Sequence, residues 1–259
     1  MGTVVVTGAS SGIGAQYARE LSERGHDVVL VARRASRLQE LARELPTGAE
    51  VLQADLADGA DVARVAERLA ADDVDMLVNN AGVSGYGPFV EQHEDVLRNV
   101  MELNEVAPTA LTRAALPGMV ARGRGAVINV ASLLAFASSQ PPGPLPYRAT
   151  YAATKAHLVV LTRTLAGELD GTGVRVQVCC PGYTESEFHD TFGAGPSTDP
   201  AREGMSPGDV VIASLAALEE GEVICVPGLG DPALVVALAD AEHALRGASG
   251  TQLADRYRR

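Results

Sequence analysis

Two residues four positions apart, Tyr151 and Lys155, have the types and the spacing for shared acid/base chemistry. On a helix, side chains at positions i and i+4 lie on the same face. A tyrosine, with a pKa of about 10, is a poor base at neutral pH, but a neighbouring ammonium group stabilises its phenolate. Lys155 is the only lysine among 21 basic residues, and a compact ammonium fits a narrow pocket better than a planar guanidinium. At this spacing we expect the ammonium of Lys155 to stabilise a phenolate on Tyr151.

A glycine-rich turn, "TGASSGIG" at 7–14, links the first strand-like run to the first helical segment. Glycine allows a tight turn and a close backbone approach, so that a pyrophosphate can bind at the helix N-terminus. A strand–helix connection can also require glycine for its geometry alone. The position of the turn in the first βα unit favours dinucleotide binding. The predicted binding residues here are Gly8, Ser10, Ser11, Gly12, Ile13 and Gly14.

The residues after the second strand-like run indicate which dinucleotide to expect. An NAD site usually has an acidic residue about 20 residues further on, where it binds the ribose 2′-hydroxyl. This sequence has Ala32-Arg33-Arg34 at that place and no acid. Guanidinium groups pair with a 2′-phosphate, which a carboxylate would repel. We therefore expect NADP(H), bound by Arg33 and Arg34; the alternative is that Arg34 or Arg37 only lies on a solvated helix face.

Short β-branched runs alternate with segments of helical period along the chain. Continuous apolar strands joined by helices indicate a parallel sheet covered on both faces. The alternation, without an internal repeat or a linker, predicts a single α/β domain over residues 1–259 with a doubly wound sheet. The expected strands lie at 3–8, 27–32, 50–56, 74–80, 126–131, 174–179 and 222–226, and the longer helical stretches at 93–116, 151–169, 207–219 and 233–246.

Two stretches interrupt the alternation, at about residues 132–150 and 183–206. The first is rich in proline, and the second mixes small and polar residues with Phe188, His189 and Phe192. Both follow the carboxyl end of a strand, which is the edge where doubly wound sheets bind ligands. We expect the two stretches to frame a substrate cleft; the alternative is surface loops without a task, with His189 simply exposed.

The composition argues against several classes of function. A net charge of −12 disfavours nucleic acid or an anionic membrane as a partner. The start, "MGTVVVTG", is unlike a signal peptide, and no apolar run reaches the ~18 residues of a membrane span. Cys179, Cys180 and Cys225 lack metal-ligand spacing. We expect buried cysteines, no metal site and a cytoplasmic location.

Six motifs, in order, make this sequence resemble the short-chain dehydrogenase/reductase family. They are TGxxxGIG at 7–14, NNAG at 79–82, Asn104, Ser132, YxxxK at 151–155 and PG at 181–182. The resemblance extends from Gly2 to about Val226. It implies a Rossmann-like single domain with a seven-stranded parallel sheet, usually a homodimer or homotetramer, that moves a hydride between nicotinamide and a carbonyl or an alcohol.

The resemblance also implies roles for matching positions. It makes Tyr151 the general acid/base, assisted by Ser132, Lys155 and Asn104. Lys155 would also bind the nicotinamide ribose, and Asn104 would hold a water in a proton relay. Ser132, at a strand end, can bond the substrate oxygen and stabilise developing charge. The further cofactor-binding residues that it implies are Asp55 and Leu56 beside the adenine, Asn80, Ala81 and Gly82 along the cofactor, and Pro181, Gly182 and Thr184 near the nicotinamide amide.

The sequence departs from the family pattern at three places. The stretch from Ser132 to Tyr151 is longer than usual and rich in proline, which suggests an unusual substrate wall. Ser186 stands where a threonine is frequent. The end, "VPGLGDP", lacks the paired glycines of tetrameric members, which puts a tetramer in doubt.

These features together predict an NADPH-dependent carbonyl reductase, or secondary alcohol dehydrogenase, that acts on a small-molecule substrate, a mostly apolar ketone. One alternative is a 3-oxoacyl thioester reductase, which would need a basic docking patch for an acidic carrier protein; Arg122 and Arg124 are the candidates. Another alternative is an NADP-sensing protein that keeps the fold without catalysis. Such proteins usually lose the tyrosine or the lysine, and this chain has both.

Overall fold

Seven parallel strands form the sheet of this protein, whose computed structural model describes residues 2–136, 148–190 and 204–258. The strands are β1 (Thr3–Thr7), β2 (Asp27–Ala32), β3 (Ala49–Gln53), β4 (Val74–Asn79), β5 (Gly125–Val130), β6 (Val174–Cys179) and β7 (Ile224–Cys225). Their order across the sheet is β3-β2-β1-β4-β5-β6-β7, and every pairing is parallel. Five strands lie within the predicted stretches, and β3 and β5 begin one residue earlier. The predicted sheet is therefore confirmed.

Helices connect the strands. In the described ranges they are α1 (Gly12–Glu23), α2 (Ala35–Glu44), α3 (Gly59–Leu69), α4 (Glu94–Met101), α5 (Ala107–Arg122), α6 (Ala149–Glu168), α7 (Pro207–Glu219) and α8 (Ala233–Gly247). The predicted helical stretch at 93–116 is α4 followed by a π-helical turn, Glu102–Val106, and then by α5. A π turn of this kind inserts an extra residue into a helix and is often found at functional sites. Here it contains Asn104.

Successive residues of the central strands point into opposite halves of the core. Val4 and Val6 of β1 pack in one cluster with Tyr17 of α1, whereas Val5 packs in the other with Leu111 of α5. All of these side chains are fully buried. A sheet with helices on both faces needs apolar residues at every strand position, which explains the uninterrupted β-branched runs. The doubly wound arrangement is therefore confirmed.

The strand order reverses direction between β1 and β4. The chain runs from β1 outward to β3 on one side and from β4 outward to β7 on the other. At such a switch point the connections leave toward opposite faces, and a crevice opens at the carboxyl ends of the strands. Gly8 follows β1 and Asn80 follows β4. The glycine turn and the NNAG motif therefore meet at this crevice.

The chain divides into two compact units, Met1–Pro227 with the sheet and Gly228–Arg259 with α8. No residue of α8 is buried. A single domain over residues 1–259 stays a prediction. The three cysteines are buried and free, as predicted. Across the ranges that the structure describes, we find no helix with the length and apolar character needed to cross a membrane.

The two predicted substrate stretches are described in part. In the first, residues Leu133–Phe136 form a short 3-10 helix directly after Ser132, and the chain is described again from Arg148. In the second, Glu187–Asp190 form another 3-10 helix. The proline-rich segment 139–146 and Phe192 lie outside the described residues.

Candidate active site

The glycine turn is braced by the NNAG motif. Gly8 and Gly12 have φ angles of +65° and +55°, a region that glycine adopts without strain. A Cβ atom at Gly8 would lie 2.7 Å from Nδ2 of Asn80 and 2.9 Å from Cα of Ala81. The Asn80 amide donates hydrogen bonds to the carbonyl oxygens of Thr7 (3.0 Å) and Gly8 (3.3 Å). The structure thus brings two separately predicted cofactor motifs into direct contact.

The N-terminus of α1 lies beside this turn. Ser11 occupies the N-cap position, but its side chain makes no capping hydrogen bond to the helix; its hydroxyl instead accepts a bond of 2.8 Å from Nη2 of Arg34. The first N–H groups of a helix have no partner within the helix. Those of Gly12, Ile13 and Gly14 are therefore suited to an anion. This arrangement fits the pyrophosphate of a dinucleotide.

The arginines after β2 divide between two neighbours. Arg34 donates from Nε and Nη2 to Oγ of Ser10, at 3.1 and 2.9 Å, and so lies against the glycine turn. Arg33 points elsewhere, with Nη1 4.0 Å from Oδ2 of Asp55. Arg37 and Arg34 share one ion-pair partner, Glu187. Arg37 is thus not merely a residue on a solvated helix face, which was the alternative from the sequence. Three guanidinium groups after β2 therefore supply charges that fit a 2′-phosphate, and Arg34 is the one that contacts the glycine turn.

Lys155 is buried next to two other predicted residues. Its Nζ donates to the carbonyl oxygen of Val130, at the end of β5, at 2.9 Å. A Cβ atom at Gly82 would lie 3.5 Å from this Nζ and 3.1 Å from Oδ1 of Asn104. The same Nζ lies 5.7 Å from the centroid of the Tyr151 ring. The helix spacing therefore places Tyr151 and Lys155 together as predicted, with the ammonium beside the ring.

The side chain of Asn104 is fully buried and holds three segments together. Its Oδ1 accepts from the Val83 N–H at 2.9 Å, and its Nδ2 donates to the Val83 carbonyl, also at 2.9 Å. Nδ2 also donates to Oγ1 of Thr154 at 3.3 Å. The π turn thus ties the loop after NNAG to α6, next to Tyr151. The predicted role of Asn104 in holding a water stays a prediction.

Burial dominates the acidity of the two central groups. It raises the pKa of the Tyr151 phenol well above its usual range, and Tyr86 adds to this rise, whereas a hydrogen bond with Ser132 and the charge of Arg148 lower the pKa. Burial lowers the pKa of Lys155 to about 8. At neutral pH the phenol is therefore protonated, and the ammonium is close to its titration range. Ser132 itself is buried, at 9% exposure.

Three further side chains surround Tyr151; Phe188 and Arg148 lie in the two stretches that the sequence assigned to the substrate cleft, whereas Tyr86 was not recognised from the sequence. The ring of Tyr86 meets that of Tyr151 edge-on, with centroids 5.6 Å apart, and the Phe188 ring lies 5.9 Å from it. The guanidinium carbon of Arg148 sits 4.5 Å from the Tyr86 centroid. Arg148 lies three residues before Tyr151, at the N-cap position of α6, so its closeness in sequence is a signal for its place in the site. Tyr86 and Phe188 lie 65 residues before and 37 after Tyr151 in the sequence, so no local pattern links them.

The PG motif lies beside Ser132. The Leu133 N–H donates to the Pro181 carbonyl at 2.9 Å, which joins the ends of β5 and β6. Among the described residues, no atom lies within 4 Å of a Cβ atom built at Gly182. The buried Thr184 donates to the Gly182 carbonyl at 3.3 Å. Of the adenine-side predictions, Asp55 lies beside Arg33, and Leu56 is buried.

Arg122 and Arg124 lie at the opposite edge of the sheet. Both precede β5, and both approach Asp75 in β4, with N–O distances of 3.8 and 3.4 Å. Arg122 also donates to the Val74 carbonyl, at the first residue of β4. The amino ends of these parallel strands are far along the sheet from the carboxyl ends that carry the site. A basic docking patch beside the cleft is therefore not formed by these two arginines.

Comparisons with known proteins point to one family. A family model described as short chain dehydrogenase matches residues 2–196. A short chain dehydrogenase of Pseudocercospora fijiensis is 38% identical over 193 residues, which make up 72% of this chain and 60% of that protein. The chain spans 60% and 58% of the length of the first curated relatives that it matches.

Two solved structures resemble the whole chain. A short-chain dehydrogenase from Sphingobium yanoikuyae in complex with NADPH is 37% identical; the match covers 99% of this chain and 100% of the other, with a TM-score of 0.91. The bulky-bulky ketone specific alcohol dehydrogenase from Comamonas testosteroni is 32% identical; that match covers 99% of this chain and 98% of the other, with a TM-score of 0.87.

Proposed function

Because the chain belongs to the short-chain dehydrogenase family, we propose that it is an NADP(H)-dependent oxidoreductase that interconverts a ketone and a secondary alcohol. One observation carries the proposal. The buried Tyr151 and Lys155 lie on one helix face, with Lys155 next to Gly82, at the crevice where α1 begins after the glycine turn. A proton donor and a dinucleotide site are thereby adjacent.

The chemistry divides between the cofactor and the protein. The nicotinamide supplies or accepts a hydride when it is bound. Tyr151 gives a proton to the substrate oxygen, and the raised pKa of its phenol keeps that proton in place at neutral pH, which favours the reduction of a ketone. Ser132 bonds the same oxygen and stabilises charge that develops on it. Lys155 holds a positive charge beside the phenol, and Asn104 positions α6 through Thr154.

NADP(H) is proposed because of the charges beside the glycine turn. Arg34 contacts Ser10 and Ser11, and Arg37 lies next to it; no acidic residue occupies the position where an NAD site holds the ribose. A structural neighbour was solved in complex with NADPH. We propose that Arg34 and Arg37 bind the 2′-phosphate, with Arg33 at the outer edge beside Asp55.

The proposed substrate is an apolar ketone with two bulky substituents. Tyr86 and Phe188 flank the Tyr151 ring, and Leu133, next to Ser132, is 49% exposed. These apolar surfaces suit large apolar groups on either side of a carbonyl. One structural neighbour is described as specific for bulky-bulky ketones. A thioester on a carrier protein suits the site less, because Arg122 and Arg124 lie at the far edge of the sheet and the net charge of −12 repels an acidic partner.

The protein is proposed to act as a homodimer or homotetramer. Met101, Val106 and Val160, on α4, the π turn and α6, are 43%, 49% and 62% exposed. α6 packs against both α4 and the π turn, so the three side chains belong to neighbouring elements. Covering such apolar residues with a second copy would remove them from water. Light scattering of wild type and Val160→Asp at matched concentrations tests this; an unchanged mass would contradict it.

The experiment that tests the proposed activity compares ketones with thioesters. Reduction of a diaryl ketone, a small methyl ketone and a 3-oxoacyl thioester is followed by cofactor absorbance with NADPH and with NADH. We expect the highest kcat/KM for the diaryl ketone with NADPH. Activity confined to the thioester would favour carrier-protein chemistry. Cofactor binding without turnover of any carbonyl would favour a sensing protein.

A further inference from the structure

A carboxylate of the chain itself forms ion pairs with the arginines proposed to bind the phosphate. Oε2 of Glu187 accepts hydrogen bonds from Nη1 of Arg34 at 2.9 Å and from Nη1 of Arg37 at 2.6 Å. These are the two arginines proposed to bind the 2′-phosphate. Arg34 is held at the same time by the hydroxyls of Ser10 and Ser11. Glu187 therefore makes the type of charge-assisted contacts that a phosphate oxygen would make.

Neighbours of Glu187 place the same segment over other parts of the site. A Cβ atom at Gly12 would lie 3.1 Å from Cβ of Ser186, so the segment crosses the glycine turn. On the other side, the Phe188 ring packs 5.9 Å from the Tyr151 ring. Three consecutive residues thus lie beside Gly12, the arginine pair and the Tyr151 ring. The segment that carries Glu187 therefore borders both the glycine turn and the proposed acid/base.

Charge decides what happens when a phosphate arrives. The two arginines hold two positive charges, and one carboxylate leaves a net charge of +1. A 2′-phosphate, with a charge of about −1.5 to −2 near pH 7, would share them with Glu187 only at the cost of anion–anion repulsion. A ribose 2′-hydroxyl has no such charge, so it leaves the Glu187 pairs undisturbed. The pKa of Glu187 is lowered by Arg37 and Arg34, so the side chain stays ionised at neutral pH.

We propose that Glu187 is a specificity-determining residue that competes with the cofactor 2′-phosphate for Arg34 and Arg37, and so reduces the preference of the enzyme for NADP(H) over NAD(H). The inference rests on the proposed NADP(H) site. Removing a residue that contacts a binding site usually weakens binding. Here, in contrast, removing the charge of Glu187 should strengthen binding of the phosphate. If Glu187 instead held the arginines in position for the phosphate, its removal would weaken binding.

The test uses adenosine 2′,5′-bisphosphate and AMP as probes, because they differ only in the 2′-phosphate and lack the nicotinamide. Dissociation constants are measured by calorimetry for wild type, Glu187→Gln and a matched control, Glu185→Gln. Glu185 is exposed on the same segment, and within the described part of the chain no arginine pairs with it. NADPH and NADH are titrated in the same way, by the fluorescence of the reduced nicotinamide.

We expect Glu187→Gln to bind the bisphosphate and NADPH about fivefold more tightly than wild type, since exposed ion pairs contribute modestly. Its affinity for AMP and NADH should change less than twofold, and Glu185→Gln should match wild type throughout. Wild type that prefers the bisphosphate, together with a Glu187→Gln variant that binds it equally or more weakly, overturns the inference and leaves the proposed cofactor intact.

Two further outcomes separate this inference from the proposed function. If wild type binds both probes equally and Glu187→Gln prefers the bisphosphate, the competition is supported. The proposal that the wild type prefers NADP(H) is then wrong. If neither protein distinguishes the probes, the arginine pair is not a phosphate site, and both proposals are overturned. Circular dichroism shows that each variant is folded before binding is compared.

Discussion

Replacing Lys155 with methionine should stabilise the folded protein while removing its activity. The side chain is 3% exposed, and burial lowers its pKa from 10.5 to about 8. At 1.36 kcal/mol per pH unit, this difference corresponds to a cost of about 3 kcal/mol for keeping the buried group charged. Methionine has a similar length and no charge, so Lys155→Met removes this cost. It also removes the hydrogen bond to Val130, which contributes about 1 kcal/mol.

The balance depends on pH in a defined direction. The folded-state pKa of Lys155 lies below its unfolded value, so between about pH 8 and 10.5 the unfolded chain binds more protons. The cost therefore acts in full below pH 8 and fades as the pH rises toward 10.5. We expect Lys155→Met to gain about 2 kcal/mol at pH 6.5, or roughly 4–8 °C in Tm. Near pH 10 the remaining cost, under about 1 kcal/mol, equals the lost hydrogen bond, and the two proteins should be equally stable.

Urea denaturation followed by circular dichroism at pH 6.5 and pH 10 measures both values. The control is Arg113→Met, which removes a positive charge from an exposed position on α5 and should shift the free energy of unfolding equally at both pH values. A Lys155→Met protein that is less stable than wild type at pH 6.5 would refute the reasoning. So would a stability difference that does not change between the two pH values.

Three other substitutions test the proposed roles. Tyr151→Phe should abolish turnover and leave the NADPH dissociation constant nearly unchanged, because only the proton donor is lost; retention of most of kcat would contradict that role. Lys155→Arg should lower kcat/KM at least ~100-fold, the lower end of what a positioned acid/base contributes. The reason is that a guanidinium does not fit the buried space beside Gly82. A folded variant with kcat/KM within a few-fold of wild type would contradict this. Arg148→Gln removes a charge that lowers the pKa of Tyr151, so the pH profile of alcohol oxidation should move to higher pH, with Arg113→Gln as the unshifted control; a profile that stays in place would show that Arg148 does not act on the phenol.

Much of the fold follows from local sequence pattern. The β-branched runs at positions such as 3–7 and 27–32 became strands because both faces of a parallel sheet are buried, and this burial leaves a continuous apolar signal. The long helical stretch after His93 was also predictable, but its π turn at Glu102–Val106 was not, because an inserted residue changes the helical period too little to be read. The hydrogen bonds of Asn104 with Val83 and Thr154 depend on this turn and could not be predicted either.

The candidate site was predictable where its geometry is local. Tyr151 and Lys155 share a helix, and the glycines at 8–14 share one turn, so spacing alone places them. The partners of the arginines after β2 could not be predicted from the sequence. The sequence pointed to Arg33 and Arg34, whereas the structure groups Arg34 with Arg37, because a long flexible side chain takes its direction from partners and not from its own position in the chain.

What the amino-acid order establishes here is the set of short-range relations: apolar period, glycine turn, helix spacing and the sum of charges. What folding adds are contacts between distant positions, such as Arg34 with Glu187 across 153 residues and the meeting of Tyr86 with Tyr151. The burial that moves the pKa of Lys155 to about 8 belongs to the same group. Desolvation and ion pairing depend on which surfaces come together in three dimensions, and that information is spread over the whole chain and absent from any single stretch of it.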